Sequence, residues 1–180
     1  MLATEERMTS WDGAELFYRA WISRPGLTNA LILFHRGHEH SGRWQETVAT
    51  LGLEDVAIFA WDARGHGRSS GERGAAECLT DIIKDVDAFV RHIRAQYDIP
   101  LENMILLAHS LAAVTVGAWV HDYGPQIRGL ILATAAFRVK LYVPLAIPAL
   151  RLQQKAFGGG YVKSYVRAKM LTHDPREAAA

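Results

Sequence analysis

The chain has 180 residues, of which 49% are hydrophobic and 22% are charged. This length and composition suit one folded domain with a hydrophobic core, and they exclude general disorder. The 20 basic and 19 acidic residues leave a formal net charge of +1. Because nucleic-acid binding needs a strong basic excess, we expect no nucleic-acid partner.

Three features bear on the compartment. The single cysteine, Cys78, excludes an internal disulfide and fits a reducing environment. Residues 1–10 are polar and lack the apolar core of a signal peptide. The longest apolar run, over residues 141–150, is too short to cross a bilayer. Together these features predict a soluble, cytoplasmic protein.

The predicted elements alternate between strands and helices. Residues 7–22 alternate in polarity around Asp12-Gly13, which predicts a β-hairpin. Apolar runs predict four further strands, at 29–35, 55–61, 103–108 and 127–134. Helical patterns lie between them, at 41–51, 80–97 and 111–123. This order predicts an α/β fold, with a mostly parallel sheet and helices on both faces after an antiparallel hairpin.

The most informative motif surrounds Ser110. An apolar run ends at Ala108-His109-Ser110-Leu111-Ala112, and a helix-forming segment follows. A small-x-Ser-x-small turn between strand and helix is typical of a nucleophile elbow, although the usual glycines are here Ala108 and Ala112. The alternative interpretation is an ordinary helix N-cap serine after a buried strand.

Four sequence words occur in order along the chain: EHSGRW at 39–44, DARGHGRSSGERG at 62–74, AHSLA at 108–112 and LTHDP at 171–175. With their spacing, they resemble the N-terminal portion of the α/β-hydrolase superfamily, in its branch similar to monoacylglycerol lipases, lysophospholipases and serine aminopeptidases. The resemblance covers about residues 5–180. It implies the α/β-hydrolase fold without its C-terminal strands, and it implies that Ser110 is the catalytic nucleophile.

Acyl transfer also needs donors for the oxyanion. The first expected donor is the backbone N–H of Leu111, directly after the nucleophile. The resemblance implies that Gly37 supplies the second. The family normally has glycine where this chain has Arg36. If that position needs a positive φ, we expect arginine to cost strain there.

The histidines invite other interpretations. His35, His38, His40 and Glu39 could ligate a metal, but no second cluster completes a site. By resemblance this segment is instead a structural and oxyanion loop, and we expect neither a metal nor a cofactor. His66 resembles the structural turn histidine of the family.

The order of a triad in this fold is serine, acid, histidine. After Ser110 the chain offers only Asp122 followed by His173, and neither follows a predicted strand. The resemblance implies an acid after a seventh strand and a histidine after an eighth. We therefore expect the N-terminal part of a longer hydrolase, with a C-terminal remainder of the same protein as its partner. A truncated relative without catalysis is the alternative.

Strand spacing is lost from residue 136 onward. We predict a hydrolase core over residues 1–135 and an incomplete cap or lid over residues 136–180, because a cap follows the sixth strand in the hydrolase fold. The cap is interpreted as an amphipathic lid packed on its own core. In the alternative interpretation, its apolar segment faces an acyl-chain pocket or makes a peripheral membrane contact.

These expectations lead to a predicted function. The chain resembles a serine hydrolase of carboxylic esters, with lipid-like acyl esters of the monoacylglycerol or lysophospholipid type as small-molecule substrates. The expected mechanism proceeds through an acyl-enzyme. The alternatives are a thioesterase or a proline-type aminopeptidase of the same fold, or a non-catalytic pseudoenzyme or module of a larger multidomain protein.

Overall fold

The computed structural model describes residues 1–74, 76 and 78–137, and after them Pro148, Ala149, Leu152, Lys155 and Ala156. Met1–Arg138 form one compact unit. Its strands are β1 (Thr4–Thr9), β2 (Glu15–Trp21), β3 (Ala30–Phe34), β4 (Ala57–Trp61), β5 (Met104–His109) and β6 (Gly129–Ala133). Its α-helices are α1 (Gln45–Leu51), α2 (Leu79–Tyr97) and α3 (Leu111–Tyr123).

The strands form one sheet in the order β1-β2-β4-β3-β5-β6. Strand β2 is antiparallel to β1 and β4, whereas β3, β4, β5 and β6 run parallel. Every residue of β3 and β4 is buried, which explains why these strands appear in the sequence as continuous apolar runs. The predicted α/β fold with its mostly parallel sheet is confirmed.

Helices cover both faces of this sheet. Because side chains of a strand alternate between faces, Ile32 and Phe34 of β3 point into the core with α2 and α3. Leu31 and Leu33 point to the opposite face and pack with Val48 of α1. The apolar stripe of α2 fits the predicted amphipathic helix, and its buried apolar side chains are Ile83, Val86, Phe89, Val90 and Ile93.

The observed boundaries differ slightly from the predicted ones. The hairpin between β1 and β2 is confirmed, but its connection runs over residues 10–14 and is closed by the Ser10 N–H and the Ala14 carbonyl at 2.8 Å. The predicted helix over 41–51 begins with a 3₁₀ turn at Ser41–Trp44, because His40 caps the turn by accepting the Gly42 N–H. The prediction placed the starts of β4 and β6 two residues too early.

In the part of the chain described here, no helix is both long and apolar enough to cross a membrane. The predicted cap over residues 136–180 and the LTHDP word with His173 lie almost entirely outside the described residues. The cap and its membrane contact therefore stay predictions.

Candidate active site

Ser110 forms the whole connection between β5 and α3. Its backbone has φ 59° and ψ −114°, a conformation that residues with a side chain rarely adopt. Its hydroxyl makes no capping hydrogen bond to α3, so the N-cap interpretation does not explain this serine. The strained strand-to-helix turn predicted from the sequence is confirmed, and the Ser110 side chain is half-buried.

Small residues surround this turn. Ala108 at the end of β5 is fully buried, and Ala112 in the first turn of α3 is 7% exposed. Little space remains beyond either methyl group, which explains why the sequence keeps small residues on both sides of Ser110.

Backbone hydrogen bonds fix Ser110 to the end of β6. The Ser110 N–H donates to the Ala133 carbonyl at 2.9 Å, and the Ala136 N–H donates to the Ser110 carbonyl at 3.2 Å. Thr134, between these two partners, itself has a positive φ of 46°. Because both backbone polar groups of Ser110 are bonded, the surrounding structure can hold its strained conformation.

The loop after β3 lies next to Ser110, at the carboxyl ends of the parallel strands. Phe34 pairs with Ala108 in the parallel register of β3 and β5, so the residues that follow each strand lie side by side. His35, Arg36 and Gly37 line a small cavity together with residues of the Ser110 turn, Leu111 and Ala112.

This cavity brings together Gly37 and Leu111, the two residues predicted as oxyanion donors. Among the described residues its volume of about 30 Å³ has room for a water molecule.

His35 joins this loop to the loop after β4. Its Nδ1–H donates to the Arg36 carbonyl at 2.7 Å, and its Nε2 accepts the Ala63 N–H at 3.0 Å. Both ring nitrogens are therefore used by the backbone, in the neutral tautomer. Burial of the ring lowers the pKa of His35 to about 4. His35 is therefore a structural residue, and it is not available as a general base.

Asp62 performs a similar structural task for two of the sequence words. Its buried carboxylate accepts the Ser41 N–H at 2.6 Å and the Arg68 N–H at 2.8 Å. Gly67 lies so close to this carboxylate that a Cβ there would be 2.0 Å from Asp62 Oδ2. The words EHSGRW and DARGHGRSSGERG thus supply a scaffold for the loop that carries Gly37.

The ion pair of the buried Asp85 with Arg64 was not predicted from the sequence. Asp85 is fully buried on the apolar side of α2 and forms two hydrogen bonds with Arg64, at 2.9 and 2.8 Å. Arg64 also donates to Asp12 at 2.7 Å and thereby lowers the pKa of Asp12 to about 2. The one signal in the sequence was an acidic residue within the apolar stripe of a helix.

The condition under which Arg36 would be strained is not met. The non-glycine residues with positive φ among those described are His38, Asp98, Ser110 and Thr134, and Arg36 is not one of them. The loop makes its left-handed turn two residues later, at His38 with φ 65°. Arg36 instead forms an ion pair, with its Nε 2.9 Å from Glu39 Oε1.

The residues considered for metal binding do not converge. Within the described ranges, no group of three or more His, Cys, Asp or Glu side chains could hold a metal ion. His35 uses both ring nitrogens in backbone hydrogen bonds, and His40 uses its Nδ1 to cap a turn.

The structure separates Asp122 from Ser110. Asp122 lies in the last turn of α3, about 18 Å along the helix axis from Ser110, and contacts the exposed His121 at 2.8 Å. The suggested pair of Asp122 with His173 cannot be assembled from the described residues, because His173 lies outside them. Asp122 is too distant to orient a base at Ser110.

Comparison with known proteins agrees with this architecture. The family profile described as serine aminopeptidase, S33, matches residues 27–180. The uncharacterized protein YnbC of Escherichia coli K12 is 49% identical over 98% of this chain, which covers 30% of YnbC. A monoacylglycerol lipase of Mycolicibacterium smegmatis is 26% identical over 98% of the chain, which covers 62% of that lipase.

The fold also has a close counterpart among solved structures. The monoacylglycerol lipase of Paleococcus ferrophilus superposes with a TM-score of 0.67 at 19% identity, over 99% of this chain and 61% of the lipase. At this identity the likeness shows the α/β-hydrolase fold alone. The chain spans less than two thirds of the length of each of these three proteins.

Proposed function

Since the chain belongs to the serine aminopeptidase S33 family of α/β hydrolases, we propose that it supplies the nucleophile and the oxyanion donors of a carboxylic-ester hydrolase. Ser110 is the nucleophile. The observation that supports this assignment is its strained turn at the sheet edge, where the hydroxyl makes no capping bond to α3. A strained backbone maintained at one polar residue is a frequent property of functional sites.

In the proposed reaction, Ser110 Oγ bonds to the ester carbonyl carbon while a base accepts its proton. The backbone N–H groups of Leu111 and Gly37 donate to the negatively charged oxygen of the tetrahedral intermediate. The carbon–oxygen bond to the alcohol then breaks, and the alcohol leaves with the proton from the base. Water repeats these steps on the acyl-enzyme, releasing the acid and restoring Ser110.

We propose esters with lipid-like acyl groups as substrates. Two of the similar proteins are named monoacylglycerol lipases. In addition, Leu111 beside the nucleophile is apolar and 44% exposed, so an apolar substrate would cover it favourably.

The acid and the histidine of the triad are proposed to come from a C-terminal remainder of the same protein. The greater length of YnbC and of the M. smegmatis lipase supports this proposal. So does β6 at the sheet edge, where Ile131 and Leu132 are 49% and 39% exposed. An exposed apolar edge strand favours pairing with a further strand.

A fluorophosphonate probe tests the role of Ser110, because it reacts covalently with an activated serine. The full-length protein is expected to be labelled, and its Ser110→Ala variant is not. A melting curve of the variant shows whether the fold survives. An unlabelled wild-type protein with a normal melting curve would overturn the proposal in favour of a non-catalytic module.

The description of the family supports a second candidate, an aminopeptidase. Turnover of a p-nitrophenyl ester and of a proline p-nitroanilide by the same preparation separates the two. The ester hydrolase is expected to cleave the ester far faster, and preferential cleavage of the anilide would favour the peptidase.

A further inference from the structure

Arg36 lies in the loop next to the turn that carries the proposed nucleophile. It follows Phe34 by two residues, just as Ser110 follows Ala108, and Phe34 and Ala108 are paired in neighbouring strands. Arg36 also precedes the proposed oxyanion donor Gly37, and both line the same cavity. A substrate held at the proposed oxyanion donors would therefore lie next to Arg36.

The charged side chains that line the cavity itself are basic. Among its described lining residues are two arginines and no carboxylate. Arg64 is already matched by two carboxylates, those of Asp85 and Asp12. Arg36, in contrast, shares the single carboxylate of Glu39 with Arg43, at 2.9 and 3.9 Å.

Arg36 also remains accessible to a ligand. Its side chain is 30% exposed, and its contact with Glu39 is made through Nε. A guanidinium group has five N–H donors, and its terminal amino groups can bind two oxygens of one anion. An arginine is better suited to such two-point binding of phosphate or carboxylate than a lysine.

We propose that Arg36 binds an anionic group of the substrate, a phosphate or carboxylate near the scissile ester. It would thereby favour anionic esters over neutral ones of the same acyl chain. This specificity role rests on the proposed ester hydrolysis at Ser110, and Glu39 competes with the substrate for the guanidinium group.

The test measures the affinity of the full-length protein for two ligands by titration calorimetry. One ligand is octyl glyceryl ether, which is neutral, and the other is its phosphate monoester, which is anionic. Neither compound contains a carboxylic ester bond, so binding does not require a working Ser110. The wild type is expected to bind the phosphate more tightly than the neutral ether. Arg36→Gln should weaken phosphate binding about tenfold, the effect of one charge-assisted hydrogen bond, and leave neutral binding unchanged.

Two further variants sharpen the test. Arg24→Gln removes an equal charge from an exposed arginine that pairs with Asp55, and it should leave both ethers unaffected. Glu39→Gln removes the competing carboxylate, so it should strengthen phosphate binding severalfold. Glycerol phosphate without the alkyl chain serves as a third ligand. If its binding depends equally on Arg36, the site also accepts free phosphate esters.

Several outcomes would overturn the proposal. The first is an equal affinity of the wild type for both ethers. The second is an equal loss of affinity for both ethers in Arg36→Gln. The third is a loss of affinity for the phosphate in Arg24→Gln as large as that in Arg36→Gln. Failure of the proposed function gives a different result, since the fluorophosphonate probe then leaves Ser110 unlabelled while the phosphate ether still binds through Arg36.

Discussion

Ser110 and the loop over residues 35–40 lie side by side at the carboxyl ends of the neighbouring strands β5 and β3. Different kinds of hydrogen bond hold these two regions. Backbone groups of Ala133 and Ala136 bind the backbone of Ser110 on both sides. The loop after β3 depends on side chains, because His35 and Asp62 bind the backbone of adjoining loops.

This difference predicts which substitutions each region tolerates. At the Ser110 turn, the identity of the neighbouring side chains matters through their size, since the hydrogen bonds involve the main chain. At the loop after β3, the chemical groups of two particular side chains matter, since their hydrogen bonds join it to the adjoining segments. The following predictions test this contrast, beginning with the largest expected effect.

The loop scaffold should be most sensitive at Gly67. An added methyl group would lie 2.0 Å from Asp62 Oδ2 and would displace this carboxylate from the N–H groups of Ser41 and Arg68. We expect Gly67→Ala to lower the free energy of unfolding by about 4 kcal/mol, from two charge-assisted hydrogen bonds and a left-handed φ. Urea unfolding measures this loss.

Gly74 provides the matched control for that substitution. It has a positive φ of 70°, but a Cβ there would meet no atom within 4 Å. Gly74→Ala should therefore cost only about 1 kcal/mol, from the backbone alone. Equal losses in the two variants would show that the Asp62 carboxylate does not hold the loop.

The pH dependence of stability tests His35. Its pKa is lowered to about 4 in the folded protein from about 6.5, so the unfolded chain binds more protons between these values. Stability should therefore fall as the pH drops from about 6.5 to about 4, by up to about 3 kcal/mol from this residue. His35→Gln should lose this part of the pH dependence, as measured by urea unfolding at each pH.

The exposed His121 is the control for that experiment. His121→Gln leaves the buried ring of His35 in place, so the part of the slope assigned to His35 should remain. An unchanged slope in His35→Gln would contradict the assignment of the slope to the buried ring that joins the two loops.

At the Ser110 turn, size should matter instead. Ala112 is buried beside Ser110, and valine there adds two methyl groups to a packed site. We expect Ala112→Val to cost about 2 kcal/mol through overpacking, whereas Ala112→Gly costs about 1 kcal/mol through helix propensity. Thermal melting compares the two variants, and a lower melting temperature for the glycine variant would contradict the size argument.

Much of the architecture could be predicted from local patterns. Apolar runs located β3, β4, β5 and β6 to within two residues at each end. For β3 and β4 the reason is that strands buried on both faces have no polar face. The turn at Ser110 followed from small residues between a strand and a helix, a pattern contained within five residues.

Features that depend on distant partners could not be predicted in this way. The buried pair of Arg64 and Asp85 joins residues 21 positions apart, and an acidic residue in the apolar stripe of α2 does not by itself identify its partner. The loop after β3 has its left-handed residue at His38, and nothing in the local sequence singled out that position. Long-range bonds decide such details.

The smallest expected effect isolates the strain at Ser110 itself. Ser110→Ala and Ser110→Gly both delete the hydroxyl group, but only glycine adopts φ 59° and ψ −114° without steric cost. Relief of strain, about 1–3 kcal/mol, should exceed the entropic cost of glycine, about 0.5–1 kcal/mol. The glycine variant is therefore expected to be more stable than the alanine variant by about 1 kcal/mol in urea unfolding. Equal stability of the two variants would mean that the hydrogen bonds with Ala133 and Ala136 hold an unstrained turn. The contrast with the loop after β3 would then lie in side-chain chemistry alone.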